Sequence, residues 1–316
     1  MADLMYSIIT PVYNRSDCIL RCMDSVSSQI NANIGIEHII VDDGSTDDTY
    51  SIIKEYALKH PHIRHHQFDK NRGTNAARNH AISSAKGVYC ILLDSDDYFT
   101  PDAIEFIEKT REESPDYSHY LFTPSDRKEQ LDSYCDSNQL QREFKYIEFL
   151  SGSISGDFIH IVKTEILNKH PFLESVRIQE HLTFLKIYRE EGKLLFTYHV
   201  VTIRERQRHD SVTKETLRID DKRISLNKVG IDYYLKNYKD DLKEHHLDHI
   251  LKRNYVRLFE NMLLLSQYDE ARGLLSTMKK DNVHLPFILR IVYYSRTGWL
   301  YKRMLNFYLK WKYRNW

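Results

Sequence analysis

The stretch YCILLDSDD, residues 89–97, decides how this chain is expected to fold. Its first five residues form an apolar strand, and the strand stops at a run that holds three aspartates. Carboxylates crowded at a strand end repel one another unless a positive charge lies close by. Two carboxylates two residues apart can both reach one hard divalent cation, so Asp94 and Asp96 are candidate ligands of Mg²⁺ or Mn²⁺. A solvated acidic turn before the helix expected near residue 101 is the alternative.

Strand and helix patterns alternate through the first hundred residues. Strands are predicted at residues 6–10, 37–41, 63–68 and 89–93, with helices through 20–26, from 46 to 56 and over 75–85. Strands that alternate with helices of this length predict an α/β fold with a mostly parallel sheet flanked by helices. Ligands of such sheets bind beyond the carboxyl ends of the strands. The polar clusters at residues 10–14, 42–43 and 94–97 are therefore expected at one edge.

Two upstream features add to this edge. One of the adjacent carboxyls of Asp42 and Asp43 can accept a hydrogen bond from a nucleobase N–H, while Gly44 permits a tight turn. Capping of the next helix by the same run is the alternative. Arg78 lies on an alanine-rich helix, where its guanidinium either faces a diphosphate or makes an exposed salt bridge.

Composition excludes several classes of protein. The 316-residue chain holds 45 basic and 45 acidic residues, so a global binder of polyanions is not expected, and no nucleic-acid-binding module is present. The first 30 residues carry no secretory signal, and no apolar run is long enough to span a bilayer. Four cysteines in a chain of this length indicate reduced thiols rather than a disulfide framework.

The C-terminal part has a different composition. Residues 124–143 are polar and are predicted to be a loop or insertion, whereas 215–280 reads as amphipathic helices. After Asp281 the chain has no acidic residue, yet it holds seven lysines and arginines and all three tryptophans. This basic, aromatic tail predicts a helix at a membrane surface. A buried helix packed on the core and a dimer contact are the alternatives.

The N-terminal motifs together resemble the family 2 glycosyltransferases with a GT-A fold. The matching stretches, in family order and spacing, are residues 7–14, 39–47, 71–73 with 77–79, and 92–97. The resemblance is strong over residues 5–105 and loose over 106–215. It implies a Rossmann-like catalytic domain over 1–214, with a nucleotide-sugar half at about 1–105 and an acceptor half at about 106–214. A helical region would follow over 215–316.

The resemblance also implies a chemistry and a setting. It implies an inverting, metal-dependent hexosyltransferase that uses a nucleotide-sugar donor, with a UDP-sugar as the first expectation. The acceptor would be a glycan, lipid-linked, in the assembly of cell-surface polysaccharide such as O-antigen or capsule. The enzyme would be cytoplasmic and peripheral at the inner face of the membrane, held there by the C-terminal tail.

Roles for individual donor-site residues follow from the resemblance by position. Pro11, Val12 and Tyr13 would line the base pocket, and Asp42 would accept from the uracil N–H. Arg78 would lie near the nucleotide. Asp94, Ser95 and Asp96 would form the donor triplet, with Asp96 as the direct metal ligand and Asp94 holding the ribose or a water of the metal.

The expected base departs from the family pattern. The family usually has Glu-Asp at the start of a helix, where the Asp takes the proton of the acceptor hydroxyl, but this chain has Glu180 and His181. Either residue is a candidate base. A catalytically impaired relative that only binds nucleotide-sugar is the alternative. A nucleotidyltransferase is disfavoured, because no glycine-rich, basic triphosphate loop follows the first strand.

A late arginine-rich segment, residues 204–213, also resembles the family. Arg206 and Arg208 would bind the diphosphate, and His209 would complete the metal shell. A solvated basic strand or loop is the alternative.

Overall fold

The computed structural model of this chain describes residues 4–30, 34–135, 140–176, 179–204 and 220–312. The chain divides into two compact units, residues 1–207 and 208–316. The boundary predicted between residues 214 and 215 lies outside the described residues.

The first unit is built on one nine-stranded sheet with the order β3-β2-β1-β4-β8-β6-β9-β5, in which β7 also pairs with β9. The strands are β1 Leu4–Val12, β2 Gly35–Asp42, β3 Ile63–Gln67, β4 Tyr89–Leu92, β5 Asp97–Phe99, β6 His119–Pro124, β7 Gln141–Lys145, β8 Ile159–Lys163 and β9 Lys193–Arg204. Helices flank this sheet, so the predicted α/β fold is confirmed.

Parallel pairing is found in the N-terminal half of the sheet. β1 pairs in parallel with β2 and β4, and β2 pairs in parallel with β3. The crossovers are the helices α1 Ile19–Ser27, α2 Thr49–Ala57 and α3 Thr74–Ser83. Parallel strands need such crossovers, and helices on both faces bury strands along their whole length. Accordingly, β1 is buried from Tyr6 to Val12.

The other half of the sheet is mixed, which the prediction of a mostly parallel sheet missed. β8 is antiparallel to β4 and β6, and β5 and β7 are antiparallel to β9. Only β6 and β9 pair in parallel there. The remaining helices of this unit are α4 Ala103–Glu113, α5 Lys128–Asp132, α6 Tyr146–Ser151, α7 Thr164–Lys169 and α8 His181–Glu191.

The described parts of the polar segment 124–143, residues 124–135 and 140–143, contain regular secondary structure rather than a loop alone. A short 3₁₀ turn at Ser125–Arg127 leads into α5, and β7 begins at Gln141. Leu131 on α5 and Phe144 on β7 are fully buried. These two buried side chains lie in or beside a run of polar residues, so composition alone did not predict that the run contributes to the core.

The second unit consists of helices in its described part. They are α9 Asp221–Glu244, α10 Asp248–Leu264, α11 Tyr268–Lys280, α12 Phe287–Ser295 and α13 Gly298–Lys312. Leu235, Tyr238 and Leu242 form one buried stripe of α9, as the predicted amphipathic pattern requires. Within the described ranges, no helix is both long and apolar enough to cross a bilayer.

Candidate active site

The carboxyl ends of β1, β2 and β4 lie at one edge of the sheet, as predicted. Val12 is in register with Asp42 across β1 and β2, and Ile9 is in register with Leu92 across β1 and β4. Pro11 and Val12 are buried, whereas Tyr13 is 37% exposed just beyond the strand end. The edge thus brings together the clusters that the sequence analysis singled out.

The structure separates the roles of the two adjacent aspartates after β2. Asp43 accepts hydrogen bonds from the backbone N–H groups of Arg72 and Gly73, at 2.6 and 2.8 Å, so it fixes the neighbouring loop. Asp42 is fully buried, and its Oδ1 accepts from the Ser45 N–H at 2.7 Å. Its Oδ2 is buried and has no hydrogen-bond partner among the described residues. Asp42 therefore keeps one carboxylate oxygen without a hydrogen-bond partner among the described residues, and this oxygen is the candidate acceptor for a nucleobase N–H.

The turn after Asp42 depends on a glycine. Gly44 has φ +75°, and a Cβ there would lie 2.7 Å from the backbone carbon of Lys70. Any side chain would both strain this backbone and push the two loops apart. Asn14 joins the same turn, since its N–H donates to Ser45 Oγ at 2.8 Å.

The acidic run after β4 folds into a tight turn. The Asp97 N–H donates to the Asp94 carbonyl at 3.0 Å. The thiols of Cys18, just before α1, and of Cys22, on α1, approach the backbone carbonyls of Ser95 and Asp94 at 3.6 and 3.8 Å. Ser95 is buried, while Asp94 and Asp96 are partly exposed. The turn therefore exposes the carboxylates of Asp94 and Asp96 to solvent, whereas Ser95 between them is buried.

Arg78 joins this turn to the segment that carries the candidate base. Its Nη2 donates to Asp94 Oδ1 at 2.7 Å, and its Nη1 donates to Glu180 Oε1 at 2.6 Å. The Arg78 side chain is 9% exposed, against 47% for Asp94 and 30% for Glu180. The residue is thus a buried bridge, unlike the exposed salt bridge that was one alternative.

The bridge sets the ionisation of its partners. Partial removal from water would raise the pKa of Asp94, but the charges of Arg78 and Arg204 outweigh this and hold that pKa below its ordinary value. Burial would lower the pKa of Arg78, and the two carboxylates reverse this and raise it. Arg78 and Asp94 therefore stay ionised, so a fixed cation lies beside a fixed anion at this edge.

Two asparagines of helix α3 bind the backbone of residues 172–176, which follow α7. Asn79 exchanges two hydrogen bonds with the Phe172 backbone, donating at 2.9 Å and accepting at 2.8 Å. The Asn75 amide donates to the carbonyls of Leu173 and Val176, at 2.9 and 3.1 Å. These bonds hold residues 172–176 against the helix that also carries Arg78.

Helix α8 begins at His181, directly after Glu180. The His181 side chain is exposed, in contrast to the half-buried Glu180. The two candidate bases are thus both at the helix start, and Glu180 forms a direct ion pair with Arg78.

Comparison with known proteins agrees with this geometry. The sequence model of "Glycosyl transferase family 2" matches residues 7–169, about half of the chain. This chain is a family 2 glycosyltransferase. An Escherichia coli chondroitin synthase is 43% identical over 101 residues, which cover 32% of this glycosyltransferase and 14% of the synthase. The match therefore concerns a small part of that longer relative.

Two solved structures show the fold of the glycosyltransferase. S. aureus TarS 1-349 in complex with UDP-GlcNAc has a TM-score of 0.63 and 19% identity, over 98% of this chain and 92% of TarS. The mannosyltransferase PcManGT from Pyrobaculum calidifontis, in complex with GDP-Man and Mn²⁺, has a TM-score of 0.59 and 18% identity. The match covers 97% of this chain and 88% of PcManGT. At such identities the likeness establishes the shared architecture.

A second buried arginine of the glycosyltransferase was not predicted. Arg204, at the end of β9, donates from Nε to Asp97 Oδ2 at 2.8 Å and from Nη1 to Asp157 Oδ2 at 2.7 Å. Asp97 is 6% exposed. Burial, opposed by Arg204 and reinforced by Asp94 and Asp96, raises the pKa of Asp97 to about 8. The only sequence signal was the arginine-rich segment that Arg204 opens.

Three predicted ligands in that segment, Arg206, Arg208 and His209, lie outside the described residues. Among the residues that the structure covers, no three His, Cys, Asp or Glu side chains gather as a metal site. Asp94 and Asp96 do supply the carboxylate oxygens that Mg²⁺ and Mn²⁺ prefer. The 47% exposure of the Asp94 side chain leaves it accessible from solvent. The chemistry of this pair therefore fits a divalent cation.

Proposed function

We propose that this glycosyltransferase is an inverting, metal-dependent hexosyltransferase that moves a sugar from a UDP-sugar to a glycan acceptor. The observation that carries the proposal is the bridge by Arg78. One guanidinium spans from Asp94, a member of the expected donor triplet, to Glu180, the candidate base. The donor site and the base therefore lie within one side chain of each other, as a displacement at the anomeric carbon requires.

Asp42 is the basis of the proposed preference for uracil. A buried acceptor without a partner costs about 1–3 kcal/mol, and a ligand N–H that reaches it recovers this free energy. The imide N–H of uracil is such a donor, and Tyr13 is exposed beside it for contact with the base. TarS in complex with UDP-GlcNAc supports this choice, while PcManGT in complex with GDP-Man defines its main rival.

Glu180 is the proposed base. Arg78 holds Oε1 of its carboxylate, so the second oxygen, Oε2, can accept the proton of the acceptor hydroxyl. The hydroxyl oxygen forms the new bond to the anomeric carbon as the bond from that carbon to the diphosphate oxygen breaks on the opposite face. The electron pair leaves with the nucleoside diphosphate, and the configuration inverts. His181 is the second candidate base, one residue away.

Asp94 and Asp96, with His209 as the family resemblance implies, would hold Mn²⁺ or Mg²⁺. Such a cation supplies positive charge that stabilises the departing diphosphate. Arg206 and Arg208 are the proposed diphosphate ligands from this chain.

The acceptor is proposed to be a lipid-linked glycan of a cell-surface polysaccharide. The chondroitin synthase relative is named for making a polysaccharide, which supports a glycan acceptor. The basic, aromatic tail of this chain supports an acceptor presented at a membrane, with peripheral contact by the enzyme.

A calorimetric and thermal-shift panel tests the donor. UDP, GDP, CDP and dTDP would each be added with Mn²⁺, Mg²⁺ or EDTA to wild type and Asp96→Ala. We expect metal-dependent stabilisation by UDP alone, lost in Asp96→Ala, because a ligand raises the apparent stability of the state that it binds. Stabilisation by GDP instead would overturn the assignment of uracil, and no stabilisation by any nucleotide would overturn the donor site.

Turnover of UDP-sugars by Glu180→Gln and His181→Ala tests the base. We expect Glu180→Gln to bind UDP as wild type does and to lose about 10²–10⁴-fold in transfer rate, with a small effect of His181→Ala. The reverse pattern would make His181 the base. Equal background rates of all three proteins, with UDP binding intact, would favour a non-catalytic relative.

A further inference from the structure

The last two helices of the second unit expose an unusual amount of apolar surface. Of the sixteen large hydrophobic side chains exposed in the described residues, nine lie between residues 287 and 308. Isolated exposed apolar residues are common, but contiguous patches mark binding surfaces. We call these nine side chains the apolar face: Phe287, Ile288, Ile291, Tyr294, Trp299, Leu300, Met304, Phe307 and Tyr308.

The apolar face follows helical periodicity. On α12, Phe287, Ile291 and Tyr294 are spaced by four and three residues, so they share one side of the helix. The opposite side of α12, with Leu289 and Val292, is buried. α12 is therefore apolar on both sides, and only one side has a partner within the described residues.

α13 is arranged in the same way. Trp299, Met304 and Phe307 lie on its outer side, in a stripe that also carries exposed Arg303. Its inner side is fixed to α10, where Tyr301 donates to Glu260 Oε1 at 2.7 Å. The fixed inner side leaves the outer stripe facing away from the helix bundle of this unit.

Charge decides which partner suits the apolar face. Residues 282–316 contain seven lysines and arginines and no acid, and Arg290, Arg296 and Arg303 are exposed within them. Contact between two copies through this face would bring these cations together without carboxylates from the same segment to offset them. An anionic lipid surface offers the opposite charge and an apolar interior at once.

Helix length determines how such contact is made. α12 has 9 residues and α13 has 15, which at about 1.5 Å per residue fall well short of the roughly 30 Å of a bilayer core. Both helices would therefore lie in the plane of the headgroups. Tyr294, Trp299 and Tyr308 suit that layer, because their rings have an apolar body and a polar group.

We infer that the apolar face of α12 and α13 docks this glycosyltransferase onto anionic membrane surfaces. The inference deepens the proposed lipid-linked acceptor, since it names the surface through which the enzyme meets the membrane. Vesicle binding is nevertheless measured without donor or acceptor, so it is tested apart from the chemistry.

The test uses the full chain and vesicles of phosphatidylcholine with or without about 30 mol% phosphatidylglycerol. All three tryptophans lie at residues 299–316, so tryptophan emission reports on this segment alone. We expect a blue shift and co-flotation with the anionic vesicles only, both weakened by salt. Absence of binding to the anionic vesicles would overturn the inference.

Three variants give the test its specificity. Ile291→Ser with Phe307→Ser keeps every tryptophan and should lower the vesicle partition coefficient about tenfold or more. Arg290→Gln with Arg303→Gln should lower it about fivefold or more on anionic vesicles and remove the salt dependence. Leu58→Ser, at an 87% exposed position of the first unit, is the matched control and should bind as wild type does.

Two outcomes would point elsewhere. Unchanged binding by the Ile291/Phe307 double variant, with a wild-type circular dichroism spectrum, would overturn the apolar face as the contact. A dimeric wild type that becomes monomeric in this variant, measured by light scattering without vesicles, would replace the membrane by a second copy. Hydrolysis of UDP-sugar in solution should be equal in all variants, and its absence in wild type would count against the proposed enzyme alone.

Discussion

Two buried arginines flank the acidic turn at residues 94–97, and the carboxyl groups that they bind differ in exposure and in pKa. Arg78 pairs with Asp94, which stays 47% exposed and has a lowered pKa. Arg204 pairs with Asp97, which is almost fully buried and has a raised pKa. Two aspartates three residues apart therefore have pKa values shifted in opposite directions. The Arg78 region keeps a carboxylate anion at the surface, whereas the Arg204 region encloses a carboxyl group whose charged form is disfavoured by burial.

The largest expected effect comes from the Arg78 region. Arg78→Lys keeps a positive charge but cannot span Asp94 and Glu180 at once, because an ammonium lacks the planar fork of a guanidinium. We expect transfer activity to fall about 10³-fold, by analogy with the loss of other fixed electrostatic groups. Steady-state kinetics with the UDP-sugar found by screening would measure this. Activity within a few-fold of wild type would show that the bridge only supports the fold.

Arg204→Gln is the matched change in the other region. It removes the hydrogen bonds of Arg204 to Asp97 and Asp157, and a buried polar group that loses its partner typically costs about 1–3 kcal/mol. We expect most of the effect in the free energy of unfolding, measured by urea denaturation. A stable protein with an activity as low as that of Arg78→Lys would erase the distinction between the two regions.

The pH dependence of stability separates the two aspartates. Asp97 has a folded pKa of about 8, above its unfolded value of 3.8, so the folded state binds the extra proton. Its contribution to stability is full below about pH 4 and is lost as the pH rises toward 8. Asp97→Asn should therefore flatten the decline by at least about 1.4 kcal/mol, the equivalent of one pKa unit. An identical pH profile of the melting temperature in variant and wild type would contradict the raised pKa.

The smallest expected effect is that of Asn79→Ala. It removes both hydrogen bonds to Phe172 and should cost about 1–2 kcal/mol of stability. Since those bonds join residue 172 to the helix that carries Arg78, kcat should fall several-fold as well. Ser83→Ala, on the same helix, removes a single exposed hydrogen bond to His80 and serves as the control. Equal kcat values in Asn79→Ala and this control would show that the segment is held by other contacts.

The edge of the sheet was predictable because its signals are local. Alternation of strands and helices places Asp42 and Asp94 at strand ends, and parallel pairing then brings these ends together. The residues alone did not predict that Asp43 is hydrogen-bonded to a loop while Asp42 keeps an oxygen without a described partner. This difference depends on the N–H groups of Arg72 and Gly73. Adjacent residues of one type carry no signal that distinguishes them.

The two arginine networks show where sequence reasoning stops. Arg78 was singled out by its place in a motif, but its partner Glu180 lies 102 residues further along the chain. Arg204 and Asp97 are 107 residues apart and meet because β5 returns to the edge of the sheet beside β9. Pairings of this length depend on strand order in the second half of the sheet, which mixes parallel and antiparallel neighbours. No periodic pattern in the sequence encodes that order.

The close approach at Gly44 has a thermodynamic consequence for donor binding. The Gly44 backbone lies close to Lys70, and Asp43 accepts hydrogen bonds from Arg72 and Gly73, so the two loops beside Asp42 are tied to each other. A nucleotide that binds between loops already fixed to each other orders little additional protein chain, so the entropic cost of binding is small. Affinity for the base should then survive the loss of the sugar, and UDP alone should bind with much of the free energy of the complete donor.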